Sequence, residues 1–152
     1  MTLSLQEMSD RFEIQDLIVA YCYAVDTRDY DALDALFTGD ALIDYSEMVG
    51  EQGKGDLTKI KQFLSVSLAG IKAFQHAVST TRYEIAGDRA KTVTAVYNPM
   101  VLDENGTDRV MVFGLWYHHH YIRTAEGWRI SRLYEQPCYA ENVPDWVKAL
   151  TK

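Results

Sequence analysis

The chain has 152 residues, which suits one ordinary domain with a well-buried core rather than two domains. Its composition, 47% hydrophobic and 24% charged residues, is typical of a folded globular protein and excludes intrinsic disorder as the main state. The net charge is −7 and the 15 Lys and Arg residues do not cluster, which argues against nucleic acid and anionic membranes as partners. We therefore predict a single domain over residues 1–152.

The sequence carries no sign of export or of membrane insertion. No apolar run approaches the ~18 residues that would suggest a membrane span. The N-terminus lacks the basic head and apolar stretch of a secretory signal. Cys22 and Cys138 have neither metal-motif spacing nor further cysteines to build a disulfide framework, so we expect two reduced thiols. Together these features predict a cytoplasmic protein.

The first third of the chain has the pattern of helices. Ser4 and Glu7 have the spacing of a capping box, and one apolar face then follows with helical periodicity. The residues of this face are Ile14, Leu17, Ile18, Tyr21 and Val25. The pattern ends in the polar segment Asp-Thr-Arg-Asp at residues 26–29, so we predict that the first helix ends there.

Shorter elements follow in the next forty or so residues. Asp29 is placed to cap a short second helix that Gly39 would end, and residues 41–45 are predicted as a short strand. Asp56 is placed to cap a third helix over residues 57–69. The glycine-rich segment between the strand and this helix is predicted to be a loop.

From about residue 73 the sequence changes to strands rich in Val, Thr, Tyr and Trp, with turn signals between them. The predicted strands are 76–85, 91–102, 110–123 and 128–139, followed by a short helix over 144–150. Helices followed by a strand meander indicate an α+β domain whose helices pack on one face of a curved sheet. Such a domain forms a cone whose mouth can hold a small ligand.

Three side chains are candidates for chemistry. Asp26 follows the first helix and has no capping role, since Asp29 is better placed for that. His76 begins the first long strand, and an imidazole there can act as a general base when an aspartate holds its other ring nitrogen. Tyr45 ends the short strand and can donate its hydroxyl to a substrate oxygen. Each also has a structural interpretation: a solvated turn aspartate, a core histidine, and a tyrosine bonded to a backbone carbonyl.

Residues 118–120 are three consecutive histidines on a predicted strand. Strand alternation places His118 and His120 on one face with Trp116, and His119 on the other face with Tyr117. His118 and His120 have the spacing of metal ligands, but no third ligand matches this pair, so we expect no metal. We interpret the Trp116 face as a surface for subunit contact. The sequence also lacks the glycine-rich nucleotide motifs, G-x-S-x-G and H-E-x-x-H.

Four segments resemble one protein family over nearly the whole chain. They are RFEIQDLIVAYCYAVDTRDYDALDALF, ALIDYS, FQHAVSTTRYEI and YIRTAEGWRISRL. With these segments the chain resembles the SnoaL-like branch of the nuclear-transport-factor-2-like superfamily, which contains scytalone dehydratase and bile-acid 7α-dehydratase. The last segment is shared regardless of function and bears on the fold alone. The resemblance implies a cone-shaped α+β barrel, with a curved antiparallel or mixed sheet and the N-terminal helices on its concave face.

The resemblance also implies site residues. In those dehydratases an aspartate after the first helix pairs with a histidine on a following strand, and Asp26 and His76 occupy the matching positions. Tyr45 resembles the tyrosine that holds the substrate carbonyl. Tyr21 and Asn98 match pocket positions of the bile-acid enzyme. We therefore expect His76, Asp26 and Tyr45 to be catalytic and the other two to contact substrate.

One position departs from scytalone dehydratase. That enzyme has a second catalytic histidine on the penultimate strand, where this chain has Leu115. His119 stands four residues further along on the same face. We therefore add Tyr117 and His119 to the residues expected to bind substrate.

The expected function is a cofactor-independent lyase acting on a small aromatic or polycyclic molecule, in a homodimer or higher homo-oligomer. His76 would remove a proton next to a carbonyl or phenolic group to begin a dehydratase-type elimination, with Asp26 orienting the imidazole. Isomerisation, cyclisation and carbon–carbon cleavage remain alternatives, because they begin with the same step. Further alternatives are a ligand carrier, an accessory subunit like the dioxygenase β subunit, and a metal enzyme built on His118 and His120.

Overall fold

The computed structural model describes residues 2–150, with side chains as far as Lys148, and begins with helix α1 (Leu5–Asp26). The Ser4 hydroxyl accepts from the Glu7 N–H at 3.1 Å, and the Glu7 carboxylate accepts from the Ser4 N–H at 2.7 Å. The predicted capping box is therefore confirmed. The predicted apolar face is also buried against the sheet: Ile14, Leu17, Ile18, Tyr21 and Val25.

The remaining elements follow α1 along the chain, with the four long strands together near the end. They are a 3-10 helix (Tyr30–Ala35), β1 (Phe37–Asp44), α2 (Ser46–Val49), a 3-10 turn (Glu51–Gly53), β2 (Lys54–Gly55), α3 (Leu57–Ser67), β3 (Ala73–Phe74), β4 (Ala77–Ala86), β5 (Arg89–Glu104), β6 (Thr107–Thr124), β7 (Gly127–Glu141) and α4 (Asp145–Leu150). The four predicted long strands and the third and final helices are confirmed, with bounds that differ by a few residues. Within residues 2–150, no helix has both the length and the apolar character needed to cross a membrane.

The second helix is shorter than predicted. Gly39 does not end it but lies inside β1, which begins at Phe37. Phe37 is buried and pairs with Ile130 of β7, so joining the sheet takes this side chain out of water. Asp29 still caps the 3-10 helix, because its side chain accepts from the Ala32 N–H at 3.3 Å.

The sheet has the order β2-β1-β7-β6-β5-β3, and β4 also pairs with β5. Strand β1 runs parallel to β7, whereas the other neighbours are antiparallel, so the sheet is mixed. It is curved and, over the described part of the chain, unclosed, with α1 packed on it. The predicted α+β class with an N-terminal helix on a curved sheet is confirmed.

A partly buried ion pair connects α1 to the sheet. The Asp10 carboxylate accepts two bonds from the Arg123 guanidinium of β6, each 2.8 Å, and one from the Trp128 indole of β7 at 3.1 Å. The Arg123 bonds lower the pKa of Asp10 to about 2, although burial opposes them. The carboxylate therefore stays ionised and ties the start of α1 to two strands.

Candidate active site

The end of α1 and the start of β4 meet in a hydrogen-bonded carboxylate–imidazole pair. Asp26 is the last residue of α1, and His76 lies between β3 and β4. Asp26 Oδ1 is 2.5 Å from His76 Nδ1, and Oδ2 accepts the His76 backbone N–H at 2.9 Å. The side chains are 19% and 6% exposed respectively. Because both carboxylate oxygens hold the same residue, the ring orientation is fixed, and Nε2 is the ring nitrogen left for another partner.

A cavity of about 200 Å³ lies between the helices and the inner face of the sheet. It brings together five of the residues predicted from the sequence: His76, Tyr21, Tyr45, Asn98 and Tyr117. The rest of its wall is mainly apolar and includes Phe63, Leu64, Met100, Met111, Phe113 and Leu115. Such a wall excludes water and strengthens the few polar contacts inside it.

Buried tyrosine hydroxyls provide hydrogen-bond donors in this cavity. The Tyr21 and Tyr45 hydroxyl oxygens are 2.6 Å apart, and the two residues are 2% and 4% exposed. The Tyr117 ring packs edge-on against Tyr21, with ring centroids 5.8 Å apart. Burial raises the pKa of all three phenols, so they keep their protons. One hydroxyl of the Tyr21–Tyr45 pair donates to the other, which leaves one proton for a further acceptor.

Asn98 supports the segment that carries the imidazole. Its side-chain N–H donates to the Gln75 carbonyl at 2.9 Å, immediately before His76 in the chain. Asn98 is 1% exposed and also lines the cavity. It therefore both positions the His76 backbone and presents a polar side chain to the cavity.

His119 contacts the rings of Tyr21 and Tyr117, at centroid distances of 6.1 and 5.9 Å, but lies outside the cavity that they line. It is on the inner face, as alternation predicted, but it packs on Tyr121 at a ring distance of 5.6 Å and does not line the cavity. Neither ring nitrogen has a hydrogen-bond partner. Burial lowers the pKa of His119 to about 3, so the ring is neutral in the folded protein. Leu115, which stands where scytalone dehydratase has its second catalytic histidine, does line the cavity.

Replacing His119 with leucine is expected to stabilise the protein by ~1–3 kcal/mol, because a buried polar group without a partner is removed. The folded pKa of about 3 lies below the ordinary 6.5, so this group's contribution to stability is present above pH 6.5 and lost as pH falls. Between pH 7 and pH 5 the wild type should lose about 2 kcal/mol that His119→Leu retains. Urea unfolding at both pH values, with His118→Ala as control, measures this loss of stability. Equal losses in all three proteins would contradict the expectation.

Glu135 is a cavity residue that the sequence analysis missed. Trp128 and Ile130 of β7 face inward, and simple alternation from them would turn Glu135 outward. A register shift in the β6–β7 ladder, between His120 and Tyr121, reverses the alternation, so that Glu135 pairs with Tyr117 and lines the cavity. Burial raises the pKa of Glu135 to about 7, although the Tyr117 hydroxyl opposes this. The only sequence signal was Leu133, an apolar residue two positions before Glu135, which places Glu135 on the same face by alternation.

The other histidines of residues 118–120 lie on the outer face. His118 Nε2 is 2.8 Å from the Gln136 side-chain oxygen, and its ring lies over Tyr134. Among the side chains that the structure describes, no three His, Cys, Asp or Glu residues come together as metal ligands. The predicted face containing Trp116, which is 37% exposed, is thus a sheet surface separate from the cavity.

The profile of the SnoaL-like domain matches residues 6–134. The chain belongs to the SnoaL-like family. A curated relative, the uncharacterized protein Rv2910c of Mycobacterium tuberculosis, is 41% identical over 137 residues, which cover 90% of this chain and 91% of the relative. The predicted membership of the SnoaL-like branch is therefore confirmed.

Solved structures share the fold of this SnoaL-like chain. A proposed aromatic ring hydroxylase of Novosphingobium aromaticivorans has a TM-score of 0.79 and 27% identity, with 95% of this chain and 98% of that one covered. A hexachlorocyclohexane dehydrochlorinase, LinA type 2, has a TM-score of 0.78 and 20% identity, covering 92% and 93%. A proposed scytalone dehydratase from N. aromaticivorans has 0.77 and 14%, covering 90% and 89%. The predicted nuclear-transport-factor-2-like fold is therefore confirmed for this chain.

Proposed function

We propose that the protein is a cofactor-independent lyase that begins an elimination by removing a proton next to a carbonyl or phenolic group. The observation that carries this proposal is the 2.5 Å contact between Asp26 Oδ1 and His76 Nδ1 at the wall of a mainly apolar cavity. A neutral imidazole held in this way offers Nε2 as a base, and the carboxylate stabilises the imidazolium that forms.

The tyrosines supply the second part of this mechanism. When His76 Nε2 takes a proton from carbon, negative charge moves onto the substrate oxygen. The Tyr45 hydroxyl, paired with Tyr21 at 2.6 Å, donates to that oxygen. Because both phenols are buried and protonated, they stabilise the enolate without reorganising when the charge develops.

We propose that the enolate reacts further by elimination. In an elimination, the enolate electrons return to form a carbon–carbon double bond as a group leaves the neighbouring carbon. The names of two proteins with this fold, a dehydrochlorinase and a dehydratase, denote such reactions and support the proposal. Isomerisation, cyclisation and carbon–carbon cleavage share the first step and are the alternatives that product analysis distinguishes.

The cavity favours a small substrate. Its volume of about 200 Å³ lies below the ~300–1,000 Å³ of pockets for drug-sized ligands. Aromatic side chains stand on several sides, among them Phe63, Phe113 and Trp146. We therefore propose a flat aromatic ketone or phenol of one or two rings, rather than a larger polycyclic molecule.

Proton exchange tests the first step of this proposal with a compound that has no leaving group. Benzylacetone, an aromatic ketone, is incubated with the protein in D₂O, and the proton signals next to its carbonyl are followed by NMR. The wild-type protein should accelerate the loss of these signals well above the buffer rate. A rate equal to that of buffer alone would contradict the proposed function.

Replacing Tyr45 with phenylalanine should weaken the binding of an enolate mimic by ~10–100-fold, because a hydrogen bond to a charged oxygen is worth ~1.5–3 kcal/mol. Para-nitrophenol is the probe, since its phenolate resembles the enolate and its yellow absorbance reports the ionised form. Tyr121→Phe is the control, because that hydroxyl bonds Thr92 at 2.9 Å outside the cavity. Equal phenolate binding by Tyr45→Phe and the control would contradict the role of Tyr45.

The outer face of the sheet is proposed as the site of the predicted self-association. Large apolar side chains are exposed there on neighbouring strands: Tyr97 (49%), Val110 (46%), Trp116 (37%) and Tyr139 (53%). Contact between two such faces would remove these side chains from water. A monomeric mass in sedimentation equilibrium would contradict it.

A further inference from the structure

Glu135 lies in the same cavity as His76 but enters it from the sheet. It stands opposite Tyr117 in the β6–β7 ladder, and the Tyr117 and His76 ring centroids are 6.2 Å apart. Among the described residues that line the cavity, Glu135 is the single carboxylate and His76 the single imidazole. The cavity therefore has two groups that exchange protons, on different elements.

Among the described residues that line the cavity with Glu135 there is no lysine or arginine to hold the carboxylate ionised. The titratable groups of the cavity around it are three phenols, Tyr117 on β6, Tyr21 on α1 and Tyr45 after β1, and the imidazole of His76. Burial raises the pKa of Glu135 to about 7, so the carboxyl is protonated in a substantial fraction of molecules at neutral pH. Glu135 is thus able to donate a proton under conditions where a surface glutamate is ionised.

We propose that Glu135 is the general acid of the reaction and donates its proton to a hydroxyl group that leaves the substrate. This inference rests on the proposed function and adds the substrate class: a β-hydroxy carbonyl compound. Chloride leaves as a stable anion and needs no proton, whereas hydroxide is a poor leaving group unless it is protonated as it departs. A carboxylic acid in the cavity therefore suits loss of water rather than loss of halide.

The proposed step removes an α-proton and a β-hydroxyl group from the substrate. His76 Nε2 takes the α-proton, and the C–H electron pair passes through the enolate to form the carbon–carbon double bond. The bond between the β-carbon and oxygen breaks, and its electron pair stays on the oxygen. The Glu135 proton joins that oxygen, so water leaves with Glu135 as carboxylate and His76 as imidazolium. Solvent then takes a proton from His76 and returns one to Glu135, so that the net reaction is hydroxy ketone to unsaturated ketone plus water.

A matched pair of probes tests this role of Glu135. The aldol of benzaldehyde and acetone loses water to give benzylideneacetone, and its O-acetyl ester loses acetate to give the same product, whose absorbance reports both reactions. Glu135→Gln should lower kcat/KM for the aldol by ~10²–10⁴-fold and leave that for the ester unchanged. Glu141→Gln, on an exposed residue further along β7, is the control and should change neither.

A second readout needs no variant. The ratio of wild-type rates, aldol over ester, should fall as pH rises through about 7, since only the aldol requires protonated Glu135. The contribution of His76 cancels in this ratio. A flat ratio, equal losses for both probes in Glu135→Gln, or no loss for either would overturn the inference.

The remaining outcomes distinguish the two proposals. Elimination from the ester but not the aldol would overturn the role of Glu135 and leave the proposed function standing. Proton exchange of benzylacetone without elimination from either probe would overturn the role of Glu135 and leave only the proton-removal step of the proposed function standing. Neither exchange nor elimination by the wild-type protein would overturn both.

Discussion

Replacing His76 with alanine is expected to lower the rate of α-proton exchange and of elimination by ~10²–10⁴-fold, the usual contribution of a positioned general base. The imidazole is 6% exposed and its Nδ1 is held by Asp26, so Nε2 is the ring nitrogen available to act as the base in the cavity that His76 lines. Kinetics of benzylacetone exchange at saturating ketone measure the effect.

The control for this variant is His118→Ala. His118 is also an imidazole on the sheet, but it contacts Gln136 on the outer face and does not line the cavity. Because His76→Ala removes a buried side chain and the partner of Asp26, circular dichroism of both variants first checks that the fold is retained. If His76→Ala retained full exchange activity, the assignment of the base would be wrong.

The second large effect is expected for Asp26→Asn. Asparagine occupies the same volume but does not stabilise an imidazolium, and its amide can hold the wrong tautomer, so kcat should fall by ~10²–10⁴-fold. KM should change little, because Asp26 lies behind His76 and is not among the cavity-lining residues. Steady-state kinetics with the aldol probe separate kcat from KM.

Two further variants distinguish a specific loss of catalysis from a general loss of structure. Asp16→Asn changes a carboxylate on the same helix that is outside the cavity, and should leave both constants unchanged. Asp26→Glu restores the charge and should recover part of kcat. If KM rose while kcat was retained, Asp26 would contact substrate directly and would not orient His76.

Local signals explain which parts of the fold were predictable. The capping box of Ser4 and Glu7 and the cap at Asp56 involve neighbouring residues, and the structure contains both. Strand β1 was predicted too short because its start at Phe37 depends on a parallel pairing with β7, some ninety residues away. No local pattern encodes that partner.

The candidate site, too, depends on contacts between distant residues that local signals do not predict. Asp26 and His76 are 50 residues apart in sequence, and only a resemblance to a known family suggested that they meet. Alternation placed His119 on the inner face, yet it does not report depth along a strand, and His119 lies beyond the cavity beside Tyr121. Glu135 was missed because a bulge reverses the alternation before it, and bulges leave little trace in a single sequence.

Affinity labelling tests the central claim most directly, namely that His76 Nε2 faces the α-carbon of a bound ketone. The reagent is the bromomethyl ketone analogue of benzylacetone, and the exposed thiol is removed first by Cys138→Ser. Peptide mass spectrometry should find one alkyl group on His76, with labelling and loss of exchange activity both prevented by para-nitrophenol. An unmodified His76 in a protein labelled on His118 or His120, with its activity intact, would contradict the account.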